Sequence, residues 1–149
     1  MAATAETIDL AQILSGLPGR IHEVMDRFVV STPDRPALIE DGAVWTYREL
    51  DRSVRQIEAA LQSLGVRPGD RMMIVSENCI ALAGLLLAAS RIGAWAIVVN
   101  PRLSPRELDQ ISDHSGARRI FLTVGISKEA AAHATRLGAT VGEVGPLRD

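Results

Sequence analysis

From Arg71 onward the chain alternates short, continuously apolar runs with longer segments of helical period, and this pattern restricts its fold more than any other feature. Met72 to Val75, Trp95 to Val99 and Ile120 to Thr123 lack the polar alternation of a strand with one wet face. Strands of that kind are buried on both faces, and a parallel sheet between helical layers is the arrangement that buries them. The intervening segments, Asn78 to Ile92, Ser104 to Gly116 and Lys128 to Leu137, are long enough for helical crossovers. Thr140 to Val144 reads as a fourth strand. The expected fold class is therefore α/β, a three-layer, mostly parallel sheet with helices on both faces. The units share no sequence, so they are successive strand–helix units and not a solenoid repeat.

Before Arg71 the signals differ. Ile21, Val24, Met25, Phe28 and Val29 fall on one face of a helix predicted over Gly19 to Ser31, which Thr32 and Pro33 stop. A shorter helix is expected around Ile8 to Leu14, and residues 1–17 read as an N-terminal arm or short helix. Residues 18–149 read as a partial N-terminal α/β domain. Asp41-Gly42 between Ala37–Glu40 and Ala43–Tyr47 is a hairpin signal, because both turn positions tolerate positive φ. Thr46 and Glu49 have capping-box spacing ahead of a helix with Leu50, Val54, Ile57, Leu61 and Leu64 on one face, and Gly65 stops it. Ser104, Pro105 and Glu107 repeat the device. The segment after Asn78 is apolar nearly all round, so it needs cover on several sides.

Composition removes several function classes. Net charge is −2, and acidic and basic residues are interspersed, so nothing marks a nucleic-acid or anionic-membrane surface. Of 16 basic residues only Lys128 is lysine, a coding bias rather than a binding signal. The single cysteine, Cys79, cannot build an internal disulfide framework and fits a reducing compartment. The N-terminus carries Glu6 and Asp9 and no basic leader, and the apolar run Cys79 to Ala89 is far short of the roughly 20 residues a bilayer span needs. A cytoplasmic protein without a membrane span is the expectation.

Searches for chemistry end mostly empty. Neither glycine-rich phosphate cradle is present, and the GLPG tetrapeptide at Gly16 to Gly19 has loop spacing. Ser127 near Gly125 lacks the second glycine of a nucleophile elbow. His22-Glu23 opens like a zinc-protease helix, but Asp26 stands where the second histidine belongs. His114 and His133 have no ligand-like neighbours at helical spacing. Cys79 is either a thiol activated in the first turn of a helix or a small core residue. Glu107 and Asp109 fall on different helix faces, so they make no acid–base dyad.

Three stretches, in order, resemble the adenylate-forming superfamily of acyl-CoA synthetases, aryl-CoA ligases, luciferases and peptide-synthetase adenylation domains. Thr32 to Asp51 is similar to its P-x-x-x-A strand, hairpin and aromatic-T-Y-x-E-L helix start. Leu64 to Ile111 resembles its G-(V/L)-x-x-G-D-x-V strand, its A-x-x-x-x-G-A helix exit and its N-P-R-L-(S/T)-x-x-E turn. HSGARRIFLT, His114 to Thr123, resembles the entry to the following strand, with His114 where an acidic residue is common. The version Asn100 to Pro105 is most similar to bacterial fatty-acid and aromatic acid–CoA ligases. The likeness runs from about Pro18 to Thr123 and fades beyond it.

The resemblance implies an acid–CoA ligase: carboxylate and ATP give an acyl-adenylate and pyrophosphate, and the acyl group then passes to CoA. In that family the phosphate loop, adenine segment, ribose-binding aspartate and catalytic lysine lie further along the chain, and none is found in this sequence. It follows that these 149 residues supply scaffold only, with no catalytic residue and no cofactor or metal of their own, while ATP, Mg²⁺ and CoA belong to the full-length enzyme. Asn100 and Arg102, just past a strand's C-terminal end, are the candidate substrate-binding residues; their alternative is a turn cap and a solvated arginine. The expected partner is the remainder of a ligase chain, or a self-associating copy covering the apolar helix 78–92. A rival reading is a stand-alone, non-catalytic interaction or regulatory protein. The missing cradles disfavour a small nucleotide- or CoA-binding module.

Overall fold

Residues 10–140 and 142–147 are described by the computed structural model. Its organising element is β3 (Arg71–Val75), in which Met72, Met73, Ile74 and Val75 have no exposed surface. It lies between β4 (Trp95–Val99) and β5 (Arg119–Leu122), parallel to both, in the order β4-β3-β5. Helix α4 (Ile80–Ile92) carries the chain from β3 out to β4, and α5 (Pro105–Ser115) carries it back across β3 to β5. The two crossovers run in opposite directions. Since parallel crossovers are right-handed, the helices fall on opposite faces. The buried clusters follow that division. Met72 and Ile74 pack with Leu85, Ala88 and Ala89 of α4, whereas Met73 and Val75 pack with Val99 and with Leu108 of α5. The parallel sheet with helices on both faces is as the sequence indicates.

The hairpin forms between β1 (Pro36–Glu40) and β2 (Ala43–Thr46), with Asp41 at φ 47° and Gly42 at φ 84°. It leads directly into α3 (Tyr47–Ser63). The Thr46 hydroxyl accepts from the Glu49 amide at 3.3 Å, and the Glu49 carboxylate accepts from the Thr46 amide at 2.8 Å. Leu50, Val54, Ile57 and Leu61 of α3 are buried against α4. The crossing is close: a Cβ at Gly84 would lie 2.7 Å from Ile57 Cδ1. Glu58 and Arg91 bridge the same helices at 2.7 Å.

The apolar helix after Asn78 finds most of its cover inside the chain. No residue of α4 is exposed, because α3, β1 and a 3-10 turn (Ile21–Met25) pack around it. The turn is fastened by the His22 amide donating to Ser90 Oγ at 3.3 Å and Arg20 Nη1 donating to Ser90 O at 3.4 Å. The helix begins at Ile80, with Cys79 as its N-cap, two residues later than its sequence pattern indicates.

Three further expectations need revision or qualification. The helix predicted over Gly19 to Ser31 is the 3-10 turn followed by α2 (Asp26–Ser31), after the six-residue α1 (Leu10–Ser15). With three residues per turn a 3-10 segment does not align i, i+3 and i+4 on one face. Met25 is accordingly buried while Ile21 and Val24 stay exposed. Of the helix expected from Ile8, residues 8 and 9 lie outside the described residues. Thr140 to Val144 forms no strand among the described residues; Val144 makes only an isolated bridge with Leu147. Gly145, at φ 64°, turns the chain so tightly onto α3 that a Cβ there would lie 2.8 Å from Ile57 N. Helix α6 (Lys128–Leu137) is capped by Ser127 and tied to α5 by Arg136 and Asp109 at 2.8 Å.

Two predictions follow from this packing. Gly84→Val forces a branched side chain into the α3–α4 crossing and lowers the unfolding free energy by about 1–3 kcal/mol in urea titration. The capping boxes add an acid-side dependence. The Glu49 carboxyl is held below its ordinary range chiefly by the Thr46 amide, and the Glu107 carboxyl chiefly by the Ser104 hydroxyl. A carboxyl with a depressed folded-state pKa contributes stability that is present above its unfolded value and lost as pH falls through the folded one. Stability therefore declines below about pH 4 to 5, and the double variant Glu49→Gln, Glu107→Gln has a shallower decline in thermal melts across that window.

Candidate functional site

The connections after β3 and β4 leave for opposite faces, so a crevice opens outside their C-terminal ends, where open α/β sheets place their ligands. Asn100 and Arg102 stand at its border. Asn100 Oδ1 accepts from the Arg102 amide at 2.9 Å, which closes the turn after β4 around the fully buried Pro101. The Arg102 side chain is 67% exposed and reaches across the crevice, with Nη2 2.8 Å from Glu77 Oε1 in the loop after β3. The structure thus brings Asn100 and Arg102 together in one turn and adds Glu77 as their partner.

Both arginine and glutamate line an open cavity of about 730 Å³ that also takes in Ile39, Glu40, Asp41, Cys79 and Ile126. Glu40 comes from the hairpin, and its Oε2 accepts from the Ile80 amide at 3.0 Å. A positive charge thus faces three carboxylic side chains. A second, narrower cavity of about 390 Å³ lies beside β5, lined largely by apolar side chains such as Leu85, Phe121, Val144 and Leu147. Its polar lining side chains are Arg119, Thr123, Thr140 and Glu143.

Nucleotide phosphates are commonly held at helix N-termini. In this chain the three helix starts around the crevice are each closed by a side chain of the protein. On α4 the Glu40 carboxylate takes the first amide and Cys79 Sγ accepts from Leu82 N at 3.4 Å. On α5 the Ser104 hydroxyl accepts from the Glu107 amide and the Glu107 carboxylate accepts from the Ser104 amide at 2.8 Å. On α6 the Ser127 hydroxyl accepts from the Ala130 amide at 3.2 Å and donates to Glu129 Oε2 at 3.1 Å. The Glu129 carboxyl is held below its ordinary range first by its own backbone amide, with smaller contributions from Ser127, Lys128 and Arg102. A carboxylate at each start repels a phosphate, so these residues do not fit ATP or CoA phosphates. No group of three His, Cys, Asp or Glu side chains among the described residues fits a metal ion.

The remaining sequence candidates have structural partners. His22 Nδ1 lies 3.0 Å from Ser90 Oγ, and buried His133 has Nε2 3.0 Å from Leu103 O. Cys79 is partly buried, with Sγ 3.4 Å from Ser76 Oγ. Asp109 pairs with Arg136 and is separate from Glu107. Glu77 and Glu40 were not legible as site residues. Glu77 sits just past β3 as Asn100 sits past β4, and that shared position was the available signal. Glu40 meets α4 across 40 positions of sequence, a distance no local pattern spans.

Comparison with known proteins identifies the family and the fold. A family model described as AMP-binding enzyme matches residues 25–145, beyond Thr123 where the motif likeness fades. The chain is 36% identical over 111 residues to 4-coumarate--CoA ligase 2 of Oryza sativa subsp. japonica, covering 73% of this chain and 19% of that protein. It is 37% identical over 103 residues to a long-chain-fatty-acid--CoA ligase of Haemophilus influenzae, covering 68% and 18%. Among solved structures, a benzoate CoA ligase from Burkholderia xenovorans LB400 superposes with a TM-score of 0.70 at 27% identity, covering 81% of this chain and 24% of that one. The N-terminal subdomain of Klebsiella oxytoca NpsA, solved with 3-hydroxybenzoyl-AMSN, superposes with a TM-score of 0.64 at 32% identity, covering 68% and 26%. The match spans about a fifth of the length of each of these two curated ligases. On the match across residues 25–145, the chain belongs to the AMP-binding enzyme family and corresponds to an N-terminal portion of its adenylate-forming ligases.

Proposed function

We infer that this chain is the N-terminal piece of an ATP-dependent acid–CoA ligase and contributes scaffold, not chemistry. The observation that carries the reading is the family match over residues 25–145, together with matches that span about a fifth of each of the two curated ligases. The occupied helix starts support it, since among the described residues the three starts around the crevice offer no open phosphate cradle. The complete enzyme would activate a carboxylate with ATP and Mg²⁺ and pass the acyl group to CoA, in the cytoplasm. Its partner surface for this segment is the remainder of the ligase chain. We propose a division at residue 18, with 1–17 as an N-terminal arm or short helix and 18–149 as the partial domain.

Asn100 and Arg102 are the residues we propose to face ligand in the complete enzyme, with Glu77 holding the guanidinium across the crevice. Because the Arg102 pair is largely exposed, it contributes at most about 1 kcal/mol to folding. Arg102→Ala therefore leaves the unfolding free energy within that range while lowering kcat/KM of a full-length ligase carrying this segment. Unchanged turnover would make Arg102 a solvated surface residue.

A stand-alone, non-catalytic protein is the second reading. It is favoured by one observation: α4 is covered within the chain, so the segment has a core on each face of its sheet. The two readings agree on catalysis. The purified 149-residue chain is expected to show no ATP–pyrophosphate exchange with any carboxylic acid, and robust exchange would sink the scaffold reading.

A further inference from the structure

Two hydroxyls just past strand ends are buried: Ser76 follows β3 and is 5% exposed, and Thr123 follows β5 and is 4% exposed. Thr123 Oγ1 lies 2.9 Å from Ser76 Oγ, which in turn lies 2.6 Å from Glu77 O. A carbonyl only accepts and a hydroxyl has one proton. The Ser76 proton therefore goes to Glu77 O, and the Thr123 proton goes to Ser76 Oγ. Cys79 Sγ, 3.4 Å from the same oxygen, already accepts from the Leu82 amide and has its own proton left to give. One buried oxygen thus receives from the end of β5 and grips the loop after β3 at Glu77 and Cys79. The backbone holds both hydroxyls in place, with the Ser76 amide donating to Val99 O at 3.1 Å and the Thr123 amide to Val75 O at 3.2 Å.

That loop presents Glu77 to the crevice, with Oε1 2.8 Å from Arg102 Nη2. An ion pair whose arginine is 67% exposed contributes too little to shape the loop that carries it. Buried hydroxyls are costly to leave without partners, so their chain of bonds sets the loop and the ion pair follows. Neither Ser76 nor Thr123 lines the crevice, so neither touches a ligand held there. We propose that both are positioning residues. Their hydroxyls fix the Glu77 backbone, Glu77 fixes the Arg102 guanidinium, and Arg102 meets the ligand. The proposal rests on the reading that Arg102 faces ligand in the complete ligase, and it extends that site to a residue at the end of β5.

Steady-state kinetics of a full-length ligase carrying this segment tests this, in a double-mutant cycle of Thr123→Val and Arg102→Ala. Thr123→Val keeps the side chain's shape and removes its donor. It is expected to lower kcat/KM about two- to tenfold, the span of one hydrogen bond, and to add no loss once Arg102 is alanine. Thr123→Ser keeps the donor, loses a methyl and restores kcat/KM to within about twofold of the parent. Ser76→Ala breaks the chain at its second link and follows the same pattern, which guards against a folding defect in Thr123→Val. Equal losses from Thr123→Val with and without Arg102 mean a merely structural hydroxyl and overturn the proposal. So does a Thr123→Ser enzyme no better than Thr123→Val. The Arg102→Ala enzyme reports on the underlying reading alone. A loss there with none from Thr123→Val or Ser76→Ala sinks only the hydroxyl chain, whereas unchanged turnover in Arg102→Ala sinks both.

Discussion

Everything in this molecule is arranged around a strand that cannot touch water. Met72 to Val75 alternate their side chains between two faces, and each side chain is fully buried. Burying a side chain of that size contributes roughly 1.5–3 kcal/mol, so neither face of β3 can be left uncovered. The chain meets this by sending its two crossovers in opposite directions, which sets α4 on one face and α5 on the other. The same topology opens the crevice at the C-terminal ends of β3 and β4. Core and candidate site are therefore two consequences of one constraint.

Much of this was legible because it is local. Unbroken apolar runs announce parallel strands, Asp41-Gly42 announces a turn, and Thr46 with Glu49 and Ser104 with Glu107 announce helix starts from spacing alone. What stayed hidden depends on contacts between distant segments. Gly84 reads as an ordinary small residue until α3 brings Ile57 against it. Tyr47 meets Phe28 in a stacked pair at 4.9 Å, although the helix read through Phe28 had no such anchor. The C-terminal stretch has strand-like residues, but Gly145 docks it on α3 before a strand can form. The candidate site was half legible: Asn100 and Arg102 follow a strand end, whereas Glu77 and Glu40 belong to it only through tertiary structure.

On the scaffold reading proposed above, the electrostatics of the crevice account for its lack of an open anion site. A helix start attracts anions through its free amides and its dipole. This chain satisfies its own, with Glu40, Glu107 and Glu129 beside the three starts that face the crevice. The carboxylates that stabilise the fold are the same groups that would repel a nucleotide's phosphates. Stability and ligand binding compete for the same amides here, and the fold has taken them.

The central claim, that this chain is scaffold belonging to a larger ligase, is tested most directly by the mass of the native protein. An antibody raised against residues 18–149 would be used on extracts of the source cells under denaturing conditions. The account predicts a species several times heavier than 16.0 kDa, as relatives about four times as long as this chain suggest. A single stable species near 16.0 kDa would contradict it and leave the chain as a protein in its own right.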